Sequence, residues 1–283
     1  MNFKLPDLDL SKSHIVYVGG RGRYATATDA VFVDDNKILV ASFLGKKIYL
    51  IDISSNNFNI IDQIDTVAFN DIIDYSDGLI ITTNFPSSGL KHSTVSIFEL
   101  KNNKITNKKN IKFPELKTHG CAIVDKSNVI ITSTYSDKRG IYFLNLETEK
   151  YRIFNDFEHY PKDVYIKDDR LLILCSAISP SRKNDPTVGE SILYLYEFST
   201  MRRIDELHFY GITDAVCLNG QNGFITLQDQ DSLLHFNLID DKLSYNKLIN
   251  GFNFPHGVAS KNNKLIVTNY GDNSIDIIDI DNL

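Results

Sequence analysis

The strongest constraint on the fold is a repeat. Six segments open on an Asp or His, run through a short apolar strand and a polar turn, continue in a second strand of the Leu-Ile-Val-Thr type, and close with a third strand ending in a polar residue. The last copy reads Phe254-Pro255-His256-Gly257-Val258-Ala259, then Lys264-Leu265-Ile266-Val267-Thr268-Asn269-Tyr270, then Ser274-Ile275-Asp276-Ile277-Ile278-Asp279. The earlier copies open at Asp29, Asp71, His119, Asp163 and Asp214, so successive openings are 42, 48, 44, 51 and 42 residues apart. A period of about 40 to 50 residues is that of a four-stranded propeller blade.

Each unit needs a fourth strand to fill its length, and segments 57–64, 150–155 and 242–248 supply examples. The sixth unit ends after its third strand, whereas an unassigned strand, His14-Ile15-Val16-Tyr17-Val18, precedes the first unit. Strand 14–18 is therefore expected to complete blade six, tying the ends together and leaving no free edge between the first and last blades. Prolines 6, 86, 114, 161, 180, 186 and 255 all fall outside predicted strand interiors, where a missing N–H would break a ladder. No segment sustains a helical period. The expected fold is all-β: one six-bladed β-propeller over residues 1–283, in preference to a seven-bladed ring or a sandwich.

Composition narrows the functional classes. The net charge of −6 disfavours nucleic acid and anionic membrane as partners. Cys121, Cys175 and Cys217 are odd in number, lack Cys-x-x-Cys spacing and sit among apolar residues, which reads as reduced, packed thiols in a cytoplasmic protein. Residues 1–13 contain no apolar h-region, and no stretch approaches the ~18 apolar residues of a membrane span. Gly19-Gly20-Arg21-Gly22-Arg23 is not followed by the Lys-Ser/Thr of a phosphate loop. The lysines at 101, 104, 108, 109 and 112 suit an outer strand protected against edge pairing.

The Pro255-His256-Gly257-Val258 opening, with Leu265 to Gly271 and Ser274-Ile275, resembles the blade signature of NHL-type propellers and their lactonase-like and gluconolactonase-like relatives. In gluconolactonase-type enzymes an axial divalent metal is held by a Glu opening blade one, an Asn opening blade four and an Asp opening blade five. The resemblance maps these onto Asp29, Asp163 and Asp214, of which Asp214 keeps the residue type. His119-Gly120 and His256-Gly257 are similar to the His-Gly openings of propeller enzymes with histidine-bound axial metals, such as peptidyl-amidating lyases and nitrous oxide reductase.

The six openings converge on the central channel because each begins an innermost strand. Around the ring they read Asp29, Asp71, His119, Asp163, Asp214, His256, an Asp-Asp-His pattern repeated twice, so that like types face each other. Four carboxylates in a partly desolvated channel call for protonation, basic neighbours or a cation. All six are candidate ligands of a divalent ion (Ca, Mn, Fe or Zn), with the imidazoles favouring a transition metal. His119, His256 and Asp214 are the candidate catalytic groups; alternatively each Asp only caps neighbouring N–H groups.

Loops on the same face carry basic and aromatic residues, and Arg21, Arg23, Tyr24, Phe43, Phe85, Tyr135, Arg139, Tyr160, Arg182 and Tyr270 are the candidate substrate contacts. Two loops, 84–94 and 176–190, are long enough to serve as lids. The expected function is that of a metal-dependent hydrolase or lyase acting on a small polar or anionic molecule; the alternative is a non-catalytic propeller that binds a protein or small ligand through its loops.

Overall fold

The computed structural model describes residues 1–4, 15–18, 21–24, 27–55, 58–85, 92–113, 117–134, 138–157, 159–176 and 189–283. Among them are six four-stranded antiparallel sheets, each a blade. Blade one comprises β4 (Ala27–Asp34), β5 (Lys37–Ser42), β6 (Lys47–Asp52) and β7 (Asn59–Asp65). Blade two comprises β8 (Phe69–Ser76), β9 (Leu79–Phe85), β10 (Ser93–Lys101) and β11 (Lys104–Phe113). Blade three follows with β12 (Thr118–Ile123), β13 (Asn128–Ser133), β14 (Gly140–Asn145) and β15 (Tyr151–Phe154). Blade four contains β16 (Tyr160–Lys167), β17 (Arg170–Ser176), β18 (Glu190–Glu197) and β19 (Arg202–Tyr210). Blade five contains β20 (Val216–Asn219), β21 (Asn222–Leu227), β22 (Ser232–Ile239) and β23 (Lys242–Asn250). Blade six is built from β24 (Pro255–Lys261), β25 (Lys264–Asn269), β26 (Ser274–Asp279) and, as its outer strand, β1 (Asn2–Lys4).

An N-terminal strand therefore closes the last blade, but it is not strand 14–18. β2 (Ile15–Val18) pairs with β3 (Arg21–Tyr24) in a separate hairpin. The closing strand β1 pairs Phe3 with Ile275, and the Asn2 side-chain amide donates to Ser274 Oγ at 3.1 Å and Asp276 Oδ1 at 2.7 Å. The Phe3 ring then stacks on Phe58 at 3.9 Å between centroids, joining the closed blade to blade one.

The core is divided into six wedges, one between each pair of neighbouring blades. Leu39 and Leu50 of blade one pack with Ile73, Ile80 and Phe98 of blade two, while Ile38 and Val40 face the opposite way onto Ile266 and Ile275 of blade six. Alternate residues of one strand thus enter different wedges. Both faces are dry, which is why the second strands read as unbroken apolar runs. Each such side chain contributes about 1.5–3 kcal/mol on burial. The outer strand β11 is mostly exposed, and its lysines pair across the surface: Lys104 with Asp62, Lys108 with Glu99 and Lys109 with Glu149. Two-residue hairpins at Asp77-Gly78, Asn102-Asn103 and Asp240-Asp241 take positive φ at both positions, the turn whose twist matches antiparallel strands. Among the described residues, no helix is long and apolar enough to cross a membrane.

Candidate functional site

A β-bulge near the start of the innermost strand builds the site. In β24 the pairing passes from Pro255↔Asn269 to Val258↔Val267, which leaves His256 and Gly257 in the bulge. The same irregularity falls between Ala27 and Asp29, Asn70 and Ile73, Thr118 and Cys121, and Pro161 and Asp163. In blade five, the Ala215 N–H donates to Thr226 Oγ1, as Gly120 and Gly257 donate to Thr132 and Thr268. These registers align one residue per blade at the axis: Thr28, Asp71, His119, Lys162, Asp214 and His256. All six are buried.

The ring is strapped from blade to blade. Thr132, Thr226 and Thr268 of the second strands donate to the carbonyls of Lys162, His256 and Thr28, and Thr83 donates to that of His119. The Leu-Ile-Val-Thr repeat is the sequence trace of this belt. The imidazoles complete it. His119 Nδ1 lies 2.9 Å from the Lys162 carbonyl, and His256 Nδ1 lies 2.9 Å from that of Thr28. A carbonyl only accepts, so each Nδ1 carries the proton and each Nε2 points inward.

Inside the ring, His119 Nε2 is 3.1 Å from Asp214 Oδ1 and 3.7 Å from Asp71 Oδ2. His256 Nε2 is 3.8 Å from both Asp71 Oδ1 and Asp214 Oδ2. Lys162 Nζ donates to Asp214 Oδ1 at 2.7 Å. Asp71, His119 and His256 each offer a ligand atom, all within 4.8 Å of one another. Burial alone would raise the Asp214 carboxyl, but Lys162, His256 and His119 outweigh it and hold the group far below the carboxylate range. Burial acts to lower His119, and Asp71 and Asp214 reverse that, holding the imidazole above its ordinary value against the opposing charge of Lys162. Burial prevails at His256 and lowers it.

Asp29 and Asp163, expected in the ring, lie one residue further along the strand. Asp29 Oδ2 accepts from Ile73 N and Asp163 Oδ2 from Val216 N, both at 3.0 Å, so each staples its blade to the next. They fit because a glycine faces them. A Cβ on Gly257 would stand 2.2 Å from Asp29 Oδ1, and one on Gly120 would stand 2.6 Å from Asp163 Oδ1. Burial pushes Asp163 up to about 7 and Asp29 well above its ordinary value. The ring therefore holds two carboxylates rather than four, and its basic neighbour is Lys162, which sequence reading missed. A lactonase-type ligand set at Asp29, Asp163 and Asp214 is not assembled. Beyond the ring the channel continues as a cavity of about 320 Å³ lined by Asp29, Asp74, Asp163, Tyr165, Cys217 and Lys261, with no ring side chain in its wall. Burial raises the thiols of Cys121 and Cys217, the latter to about 12, which suits packing rather than nucleophilic attack.

Of the expected substrate contacts, Tyr270 stacks on His256 at 4.2 Å and packs with Phe254 and Phe43. Phe43 also stacks on Phe69 at 4.8 Å. Arg139 lies over the Tyr160 ring at 5.4 Å. The side chains of Arg21, Arg23, Tyr24 and Phe85, and residues Tyr135 and Arg182, lie outside the described residues, as do segments 86–91 and 177–188 of the two long loops.

No protein-family model matches the chain, and no curated protein matches its sequence. Solved structures share its shape. A chain of the mitotic checkpoint complex is similar over 93% of this chain and 90% of its own, with 9% identity and a TM-score of 0.60. A chain of the nidogen/laminin complex is similar over 84% and 89%, with 13% identity and a TM-score of 0.61. BamB from Moraxella catarrhalis is similar over 98% and 95%, with 12% identity and a TM-score of 0.51. What they share with this chain is the fold.

Proposed function

We propose that the ring is a divalent transition-metal centre and that the protein is a metal-dependent enzyme, a hydrolase or lyase, acting on a small polar or anionic molecule. The orientation of the imidazoles carries this reading. With both Nδ1–H groups committed to carbonyls, His119 and His256 present their Nε2 atoms to the Asp71 and Asp214 carboxylates, so a cation at the axis would meet imidazole nitrogens and carboxylate oxygens together. A bound ion of this kind polarises a substrate oxygen or lowers the pKa of water. Asp71, His119 and His256 are its ligands in this reading. The Lys162 carbonyl orients His119 through Nδ1, and Asp214, held ionised by Lys162, keeps negative charge beside the site. The resemblance to NHL-type, lactonase-like propellers supports an axial site, here with a different ligand set.

A second reading draws on the charge balance. Lys162 neutralises one carboxylate, and a proton on His119 neutralises the other, so the ring can be a metal-free structural network in a propeller that binds through its loops. Elemental mass spectrometry on protein purified without chelator or histidine tag separates the two. The metal reading expects about one divalent ion per chain, lost in His256→Ala. It further expects hydrolytic or eliminative turnover of a panel of esters, lactones and polar acids that chelation abolishes and the same ion restores. Wild-type protein free of metal, with thermal stability indifferent to added Mn²⁺ and Zn²⁺, would establish the second reading.

A further inference from the structure

The ring has an internal two-fold repeat: Thr28, Asp71 and His119 from blades one to three correspond to Lys162, Asp214 and His256 from blades four to six. Two of the three pairs are identical, and the third replaces a threonine by a lysine. Among the described residues Lys162 is the one buried lysine, 1% exposed. A buried ammonium is costly unless paired, so its retention in this position calls for a partner. The partner is Asp214, at 2.7 Å, while the residue equivalent to Lys162 in the other half of the ring is Thr28, whose hydroxyl donates to the Ala41 and Asn70 carbonyls.

We infer that Lys162 is a tethered cation that fixes the side of the ring on which the metal ion binds. The two-fold mate of the Asp71, His119 and His256 set is Asp214 with the same two imidazoles, and the Lys162 ammonium takes the place of an ion beside Asp214, leaving Asp71 with the imidazoles as the divalent site. The inference rests on the metal reading of the ring and adds to it the side on which the ion binds. Thr28 is the natural reference, because it shows that the position accepts a hydroxyl that donates to neighbouring carbonyls.

The test exchanges the two residues and titrates intact protein with Mn²⁺ and Zn²⁺, reading stoichiometry by elemental analysis and affinity by calorimetry. Lys162→Thr frees Asp214 and removes a like charge from the site. It should bind the ion about tenfold more tightly. Adding Asp214→Asn to it should return binding to the wild-type level. Thr28→Lys should set an ammonium against Asp71 and abolish binding. A folded Lys162→Thr protein with unchanged affinity, or a folded Thr28→Lys protein that binds as wild type does, overturns the inference. Should Lys162→Thr fold only with the ion present, the inference is supported; should it fold under neither condition, Thr28→Lys decides. A wild-type protein that binds no ion while Lys162→Thr binds one would refute the metal reading of the native ring and still support Lys162 as the substitute cation.

Discussion

Asp214 and Asp163 open neighbouring blades, are equally buried, and carry opposite electrostatics. Asp214 stands in the first bulge position, meets Lys162 and His119, and is held far below the ordinary carboxylate range. Asp163 stands in the second, meets the backbone N–H groups of Val216 and Val164, and is pushed up to about 7 by burial. One residue of register at a β-bulge thus separates a strongly acidic member of a charged site from a staple whose carboxyl burial raises to about 7. The same difference of position separates Asp71, which faces the two imidazoles, from Asp29, which accepts from the Ile73 N–H of the next blade.

The largest break in this contrast is Asp214→Ala, which leaves the Lys162 ammonium buried without its carboxylate. Urea unfolding should show a loss of about 3–5 kcal/mol. Asp163→Ala should cost less, about 1–3 kcal/mol, because it takes an acceptor from backbone N–H groups such as that of Val216 rather than from a buried ammonium, and it should leave metal content unchanged. Gly257→Ala should cost a similar ~1–3 kcal/mol by driving a methyl into Asp29, and thermal melts of Gly257→Ala and Gly120→Ala should fall together.

The two kinds of carboxyl also differ in their response to acid. Asp163 and Asp74 have folded values of about 7 and about 6, both raised from 3.8 by burial. A raised acid binds its proton more tightly when folded, so its contribution is fully present below the unfolded value and is lost as pH rises through the folded one. In chelator, the melting temperature should therefore rise as pH falls from 8 towards 5, and Asp163→Asn should flatten that dependence. The smallest effect belongs to Lys104→Ala: the exposed pair with Asp62 should shift stability by about 0.2–1 kcal/mol and weaken further in salt.

Much of this was legible in the sequence. The repeat period gave six blades, and the Leu-Ile-Val-Thr strands contain the threonines that strap the ring. The His119 and His256 openings and the placement of Asp71 and Asp214 were also readable, since each ring residue precedes an apolar run. Lys162 was not, because Asp163 beside it matched the pattern of an acidic opening. A local count would have found it: Lys162 stands two residues before Val164, as His256 stands two before Val258 and Asp214 two before Val216. Hairpin turns that vary by a residue hide this alignment when the blades are matched by their second strands. The closing strand was misassigned for another reason. Asn2–Lys4 is short and polar, and it is fixed by the Asn2 amide and by Phe3 against Phe58 rather than by an apolar run.

On the metal reading the first bulge position, and not the second, holds the ion. Crystals grown with Mn²⁺ or Zn²⁺ and measured at the absorption edge of that metal test it directly. An anomalous peak at ~2.0–2.3 Å from an Asp71 carboxylate oxygen and from Nε2 of His119 and His256 is the predicted result. A ring without a peak, or a peak on Asp29 and Asp163, would contradict it.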